Sequence, residues 1–304
     1  MITSNSYRIL TELRLDRLPA NEPAIPKGVF MVEPVNFRLN EESSRDNRYM
    51  DTGRPADPDR AMEQYIDLLE IIRNAGVPVK SFSGDPKTPE NVFPNNVFAT
   101  APGRFIVGHM LHASRQLEAG RKDIRAYFQG LGYQLFDLSV EECVAELTGP
   151  LVIDRARRLG FCGMSGRVDE AGLKAMHQAF NLIHTLQFDL VPGEYHTNVV
   201  MSILAGRALV LHAASIVDPA VPKDLEVLYS GRVMYLDQSE KNAFAANCIA
   251  LTRNDLFMSQ TAADALRPRN RALLQSWGFR IHATDLDEIE KAGGSLRCMV
   301  AEVF

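Results

Sequence analysis

The sequence predicts an α/β fold assembled from a recurring unit of strand, turn, strand, helix and strand, enclosed in one domain. Three observations predict it. Short apolar runs bounded by turn residues alternate with longer stretches of helical spacing. The unit returns about every 50 residues with weak similarity between copies, as in a closed or stacked array. No linker-like shift of composition follows residue 28, so 29–304 reads as a single domain behind a polar lead-in, 1–28, which carries Pro19, Pro23 and Pro26. A β-propeller is one such array, although intervening helices do not suit it. A doubly wound sheet is another, but its GxGxxG fingerprint is missing, as is GxxxxGK[ST], so nucleotide binding finds no support.

The elements follow in order. Residues 29–34 form an apolar run between Gly28 and Pro34, a buried strand. The spacing of Met62, Tyr65, Ile66, Leu69 and Ile72 predicts a helix over 59–74, stopped by Gly76. Residues 77–82 read as a strand, 97–100 and 104–108 as strands about a Pro-Gly turn, 114–129 as a helix and 133–138 as a strand. The same order recurs: strands at 150–153 and 159–164, a helix over 169–186 capped by Asp169, and a strand at 187–191. Next come strands at 199–204 and 208–212, a short helix at 223–229 and a strand at 233–236. The last copy has strands at 248–251 and 256–259, a helix over 261–277 broken or kinked by Pro268, a strand at 280–283, and a final strand over 295–303.

Composition narrows the function classes. The chain has 304 residues, 46% hydrophobic and 23% charged, with a net charge of −5, as in a soluble globular protein. No strong basic patch argues for nucleic acid. The four cysteines, at 143, 162, 248 and 298, are not spaced as CxxC, which argues against a zinc ribbon or a thioredoxin-type redox pair. The N-terminus lacks an apolar signal-peptide core and no run approaches a membrane span, so the reducing cytoplasm is the expected compartment. A homodimer is the general expectation for such a chain.

Four polar clusters each precede a strand of the repeat. Two glycines, Gly293 and Gly294, lead to Cys298, and the adjacent cation Arg297 could hold a thiolate. A buried small hydrophobe in a last strand is the competing reading of that cysteine. His196, in a polar turn before an apolar strand, could exchange protons near neutral pH or simply bond to backbone. Asn95 and Asn96 precede another strand and are either ligands or a plain turn. Glu146, with Thr148 and Gly149, precedes a fourth, as a site carboxylate or a solvated one. If the units surround an axis, these strand entries converge, and a Cys nucleophile with a distant His base is a known covalent pairing. Cys162 and Cys248 lie in apolar strands, and Cys143 lies beside Glu141 and Glu142, which disfavour a thiolate.

The segments Met31-Val-Glu-Pro-Val-Asn-Phe37, Phe93-Pro-Asn-Asn96, Glu146-Leu-Thr-Gly149, Met164-Ser-Gly-Arg167, His196-Thr-Asn-Val-Val200 and Gly293-Gly-Ser-Leu-Arg-Cys-Met299 together resemble the guanidino-group-modifying enzyme superfamily. It includes arginine deiminases, dimethylarginine hydrolases and amidinotransferases, and the resemblance is closest to its citrulline-utilisation hydrolases. The resemblance implies the pentein fold, a five-fold pseudo-symmetric α/β propeller with its site on the axis. It implies that Cys298 attacks a guanidino or ureido carbon, that His196 protonates the departing amine and then activates water, and that Glu146 holds substrate nitrogens and orients the histidine. It further implies that Arg167 grips a substrate carboxylate, with no metal or organic cofactor. Arginine-directed relatives place acidic groups near 93–98, where this chain has Asn95 and Asn96. Amides suit a neutral ureido group, so a citrulline-like substrate is expected over an arginine-like one. An amidinotransferase and a non-catalytic binding protein are the alternatives. The family's Glu-Gly-Thr-Gly is here Glu-Leu-Thr-Gly.

Overall fold

The computed structural model describes residues 1–8 and 23–304; half of the lead-in, with Pro19, thus lies outside the described residues. Among those described, the strands form five sheets. Each has the same plan: an inner strand, an antiparallel middle strand and a parallel outer strand. The first sheet joins Ala301–Val303 (inner), Gly28–Val32 (middle) and Val79–Phe82 (outer). The second joins Phe98–Ala101, Arg104–Val107 and Gln134–Asp137. The third joins Leu151–Asp154, Leu159–Met164 and His184–Asp189, and Ile2–Thr3 adds a fourth, parallel edge strand to it. The fourth joins Met201–Leu204, Ala208–Leu211 and Val233–Tyr235. The fifth joins Ile249–Ala250, Asp255–Ser259 and Arg280–Thr284.

In four of the sheets a hairpin links inner to middle strand, while the first takes its inner strand from residues 301–303; in all five a helical crossover returns to the outer strand, because parallel neighbours cannot be joined by a tight turn. Inner strands of neighbouring sheets touch, 301–303 with 98–101, and 201–204 with both 151–154 and 249–250. The middle strands are covered on both faces, which is why they read as unbroken apolar runs. This is the pentein arrangement: five units about one axis.

Helix boundaries differ from the periodicity in instructive ways. Asp57 caps the helix Pro58–Asn74, accepting from the amides of Asp59 and Arg60, and Pro58 sits in the first turn where its missing N–H costs nothing. Leu68 faces the core there, and Ile66, expected inside, is 46% exposed. The stretch 114–129 is broken: Ala113–Gln116 and Lys122–Gly130 flank a 3₁₀ turn, Leu117–Gly120, and an extended Arg121. The helix predicted over 169–186 ends at Ala179, Glu170–Ala179, and His184–Asp189 is already strand. Its β-branched and aromatic content outweighed the apparent helical spacing. The break expected at Pro268 is present: Gln260–Ala265 ends before it, and Pro268 starts a second helix, Pro268–Ser276. The final segment is also corrected: Leu296–Met299 is a helical turn, and only Ala301–Val303 is strand.

Candidate functional site

The five chain segments that enter the five inner strands meet at one end of the axis. They are the 3₁₀ turn Pro94–Asn96, the loop 146–149, the 3₁₀ turn Thr197–Val199, Asn247, and the helical turn Leu296–Met299. The sheet plan therefore brings Asn95, Asn96, Glu146, His196 and Cys298 together, all buried. A small cavity is lined by Cys298, His196, Asn96, Glu90, Arg115 and Arg167, with Phe93 and Tyr195 among its walls.

Cys298 is 2% exposed and lies in the helical turn, its N–H donating to Ser295 O at 2.9 Å. Burial pushes its thiol above the ordinary value, against the pull of a hydrogen bond from Asn247. Asn247 Nδ2 stands 3.4 Å from Sγ, and Asn198 Nδ2 stands 3.8 Å away. Asn247 has no freedom to flip, because its Oδ1 accepts the Arg297 backbone N–H at 3.0 Å, which leaves Nδ2 as the end facing sulfur. Asn247 was missed by motif reasoning. The repeat held the signal, since it is the polar residue that enters the fifth inner strand.

His196 stacks on Tyr195, ring centroids 4.4 Å apart, and bonds Glu146 Oε2 through Nε2 at 2.8 Å. Burial lowers its pKa below the ordinary 6.5, although Glu146 opposes the shift. The resting imidazole is thus neutral near pH 7, with its proton on Nε2 facing the carboxylate. Nδ1 is buried and has no partner, leaving a basic lone pair. Glu146 is fully buried. Burial raises its carboxyl, but Arg167, the His196 hydrogen bond and Arg115 outweigh this and hold it well below the ordinary 4.5. Its oxygens accept from the Leu111 N–H at 3.1 Å and from Arg167 Nη1 at 3.1 Å.

Leu147, which stands where the resembled motif has glycine, adopts φ 35°, in the left-handed region that favours glycine. Its side chain is fully buried in the core beside Gly108. That burial offsets the backbone strain and fixes the loop that carries Glu146. Gly149 permits the close approach beyond it: a Cβ there would lie 2.7 Å from both Asn96 Nδ2 and His196 Nε2.

Asn95 is bound within the framework, Nδ2 donating to Thr148 Oγ1 at 3.2 Å, and it is not among the residues lining the cavity. Asn96 does line it. Its Oδ1 accepts from Arg115 Nη1 at 3.3 Å, and a guanidinium can only donate, so the free end of the amide is Nδ2, buried and without a partner. Arg115 is itself buried and clamped by Glu118 through Nε at 3.0 Å and Nη2 at 2.8 Å. Burial pushes the Glu118 carboxyl up, to about 6, against the pull of Arg115. Arg115 and Glu90 escaped the sequence reading; neither lies in a conspicuous motif. Glu90 accepts from Asn40 and Ser43, each at 2.7 Å, and among the described residues no ion pair engages it.

Two sequence-derived assignments change. Arg167 is in the cluster, but its fork is filled by a protein carboxylate: Nε and Nη2 hold Asp46 at 2.7 and 2.8 Å, and Nη1 holds Glu146. Arg297 still lowers the Cys298 thiol through its charge, but its side chain turns away from the cavity, where it was a candidate substrate ligand. It donates to Val300 O at 2.9 Å and Glu302 at 3.0 Å and does not line the cavity. Successive residues of a helical turn point about 100° apart, so the neighbour of a cavity-facing cysteine faces elsewhere. Cys162 and Cys248 are buried in or beside strands, and burial pushes the Cys248 thiol up to about 12. Burial, with Asp169 and Glu141, takes Cys143 up to about 11.

Residues 33–304 match the family described as N,N dimethylarginine dimethylhydrolase, eukaryotic. The chain belongs to this family. Among the relatives of this family member is the bifunctional arginine dihydrolase/ornithine cyclodeaminase AgrE of Nostoc sp., 24% identical over 253 residues, which cover 81% of this chain and 33% of AgrE. The chain thus spans about a third of that relative's length. The Caenorhabditis elegans protein ZK1307.1 is 23% identical over 290 residues, covering 92% of this chain and 95% of the relative. The fold is shared with the N-terminal domain of ArgZ, a cyanobacterial arginine dihydrolase solved with substrate, at a TM-score of 0.79 and 19% identity over 90% of this chain and 97% of that one. It is shared also with a dimethylarginine dimethylaminohydrolase variant solved as an adduct with S-methyl-L-thiocitrulline, at a TM-score of 0.71 and 17% identity over 91% of this chain and 100% of that one. No helix among the described residues is long and apolar enough to cross a membrane.

Proposed function

We propose that residues 29–304 form one catalytic unit, a thiol-dependent hydrolase that cleaves a carbon–nitrogen bond of a ureido or guanidino amino acid. The observation that carries this reading is the meeting, at one cavity, of a buried sulfur, an imidazole nitrogen with a free lone pair, and an amide donor with no acceptor. Sγ of Cys298 bonds to the substrate carbon as its proton passes to Nδ1 of His196. The carbon–nitrogen bond breaks, and the departing amine takes that proton. Water then gives a proton to His196 and attacks the same carbon, and the sulfur leaves as a thiol by recovering the proton. Glu146 accepts from Nε2 throughout, holding the tautomer and balancing the imidazolium when it forms.

The substrate is of the neutral ureido class. Asn96 lines the cavity and keeps an unpartnered Nδ2 donor, and a ureido oxygen accepts from such a donor where a guanidinium, all donors, cannot. Glu90, bonded by neutral side chains, suits the ammonium of a free amino acid. The names of relatives that act on arginine or dimethylarginine support the reaction class. Comparing kcat/KM for citrulline and arginine tests the preference, with ammonia, ornithine and any added amine acceptor's product all measured. Citrulline is expected to win, and in Asn96→Asp the ratio is expected to move towards arginine by roughly 10-fold or more, because a carboxylate replaces the donor. A parent that prefers arginine overturns the assignment.

Turnover that needs neutral His196 sets the pH dependence. Since burial lowers that pKa, kcat/KM is expected to stay level down through pH 6.5 and to fall only below it. An acid limb centred above 6.5 contradicts the proton inventory drawn here.

A further inference from the structure

A second cavity, of about 40 Å³, lies among the inner strands, lined by Thr148, Asn198, Arg155, Arg297 and Glu302. Asn198 and Arg297 link it to the reactive layer, the first through its hydrogen bond to Cys298 Sγ and the second as that cysteine's neighbour. Its charges do not balance. Arg155 and Arg297 bring two guanidiniums, whose side chains are 9% and 12% exposed. Among the described residues a single carboxylate, Glu302, serves both: 3.0 Å from Arg297 Nη2 and a looser 3.5 Å from Arg155 Nη2. The remaining bonds are to neutral carbonyls, Arg155 Nη1 to Thr100 O at 3.0 Å and Arg297 Nη1 to Val300 O at 2.9 Å. Burial, with Arg297 close by, holds the Arg155 guanidinium below its ordinary value despite Glu302.

We propose that this axial cavity is a binding site for a small planar oxyanion of the carboxylate or bicarbonate type, held between Arg155 and Arg297. A largely buried excess positive charge is costly unless paired, and planar guanidinium forks match an anion with two oxygens in one plane. Size narrows the class. At 10–15 Å³ per water, the cavity holds about three waters, enough for an ion of three or four heavy atoms and too little for an amino acid or a phosphate ester. The rest of the lining fits: Asn198 and Thr148 are polar and uncharged, and no second carboxylate lines it. The site is separate from the Cys298 cavity, since neither arginine lines the latter.

Sodium formate is the probe, titrated into the full chain at constant ionic strength against sodium gluconate, whose anion is too bulky to enter. Thermal unfolding is followed in the parent and in Arg155→Met and Glu302→Gln. The parent's Tm is expected to rise saturably with formate. In Arg155→Met the saturable rise is lost. In Glu302→Gln, where the competing carboxylate is gone, half-saturation moves to lower formate by roughly tenfold. Formate bound instead beside Arg115 or Arg167 would leave the Arg155→Met response intact, which overturns the proposal. So does a parent Tm that responds equally to formate and gluconate. Should Arg155→Met fail to fold, Glu302→Gln decides alone: unchanged or weaker formate binding refutes the site.

Discussion

Turnover by a Cys298→Ala variant is expected to fall by roughly 10⁴-fold or more, because losing the covalent nucleophile removes the route itself and not one contact along it. Stability should change little. The lost atom is a single sulfur, and deleting a small buried group costs about 1 kcal/mol. Substrate binding should persist, since Asn96, Glu90 and the walls remain. The contrast is Cys162→Ala and Cys248→Ala. Both residues are fully buried, away from the cavity, and their substitution should lower Tm while sparing kcat. Steady-state kinetics on the purified variants, with equilibrium binding of citrulline to Cys298→Ala, separates these outcomes. More than a tenth of parental turnover in Cys298→Ala would end the thiol mechanism.

Arg167→Met is expected to cost about 3–5 kcal/mol of stability at pH 7, the usual cost of stripping the partner from a buried charge. Glu146 is fully buried and would keep as hydrogen-bond partners only His196 and the Leu111 N–H, with the charge of Arg115 farther off, while Asp46 would lose its bidentate partner. The sign with pH follows from linkage. The folded Glu146 carboxyl lies below its ordinary 4.5, so its contribution is fully present above that value and is lost as pH falls through the folded one. Without Arg167 the carboxyl rises and the contribution shrinks. The gap between parent and variant is therefore widest near neutrality and narrows in acid. Urea unfolding at pH 7 and at successively lower pH below 4.5 follows the narrowing. Arg167 also holds the His196 pKa down, so the acid limb of kcat/KM should move up in the variant. A gap that widens in acid would show that Arg167 acts by packing and not by charge.

The sequence made the repeat legible because each copy spends its apolar residues the same way: a fully covered middle strand, a hairpin turn, and a strand beyond a helix. Convergence at one cavity was legible at Cys298, His196 and Asn96, which line it, and at Glu146, which bonds His196 behind it, since each stands at a strand entry and the repeat makes those entries equivalent. Side-chain direction was not. Arg297 sits beside the nucleophile in sequence yet faces the other way, because Leu296–Met299 is a helical turn and not the strand its apolar composition suggested. Arg167 looked like a free fork because its partner, Asp46, lies 121 residues away. Arg115 and Glu90 were invisible for the same reason: a charge becomes part of a site only when distant chain desolvates it. For His196 the sequence left a backbone-bonded turn histidine open beside a proton-exchanging one, because turns are usually wet, and this one is buried.

The pairing of Ala301–Val303 with Gly28–Val32 has a consequence for how the molecule is made. The first sheet cannot be completed until residues 301–303 have been synthesised, because its inner strand comes long after its middle strand in the sequence. The turn that carries Cys298 is tethered directly to that strand, so the thiol meets its histidine only when the ring shuts. A chain in which this pairing has not formed therefore carries an unarmed sulfur, and chemical competence depends on the most non-local strand pairing among the described residues.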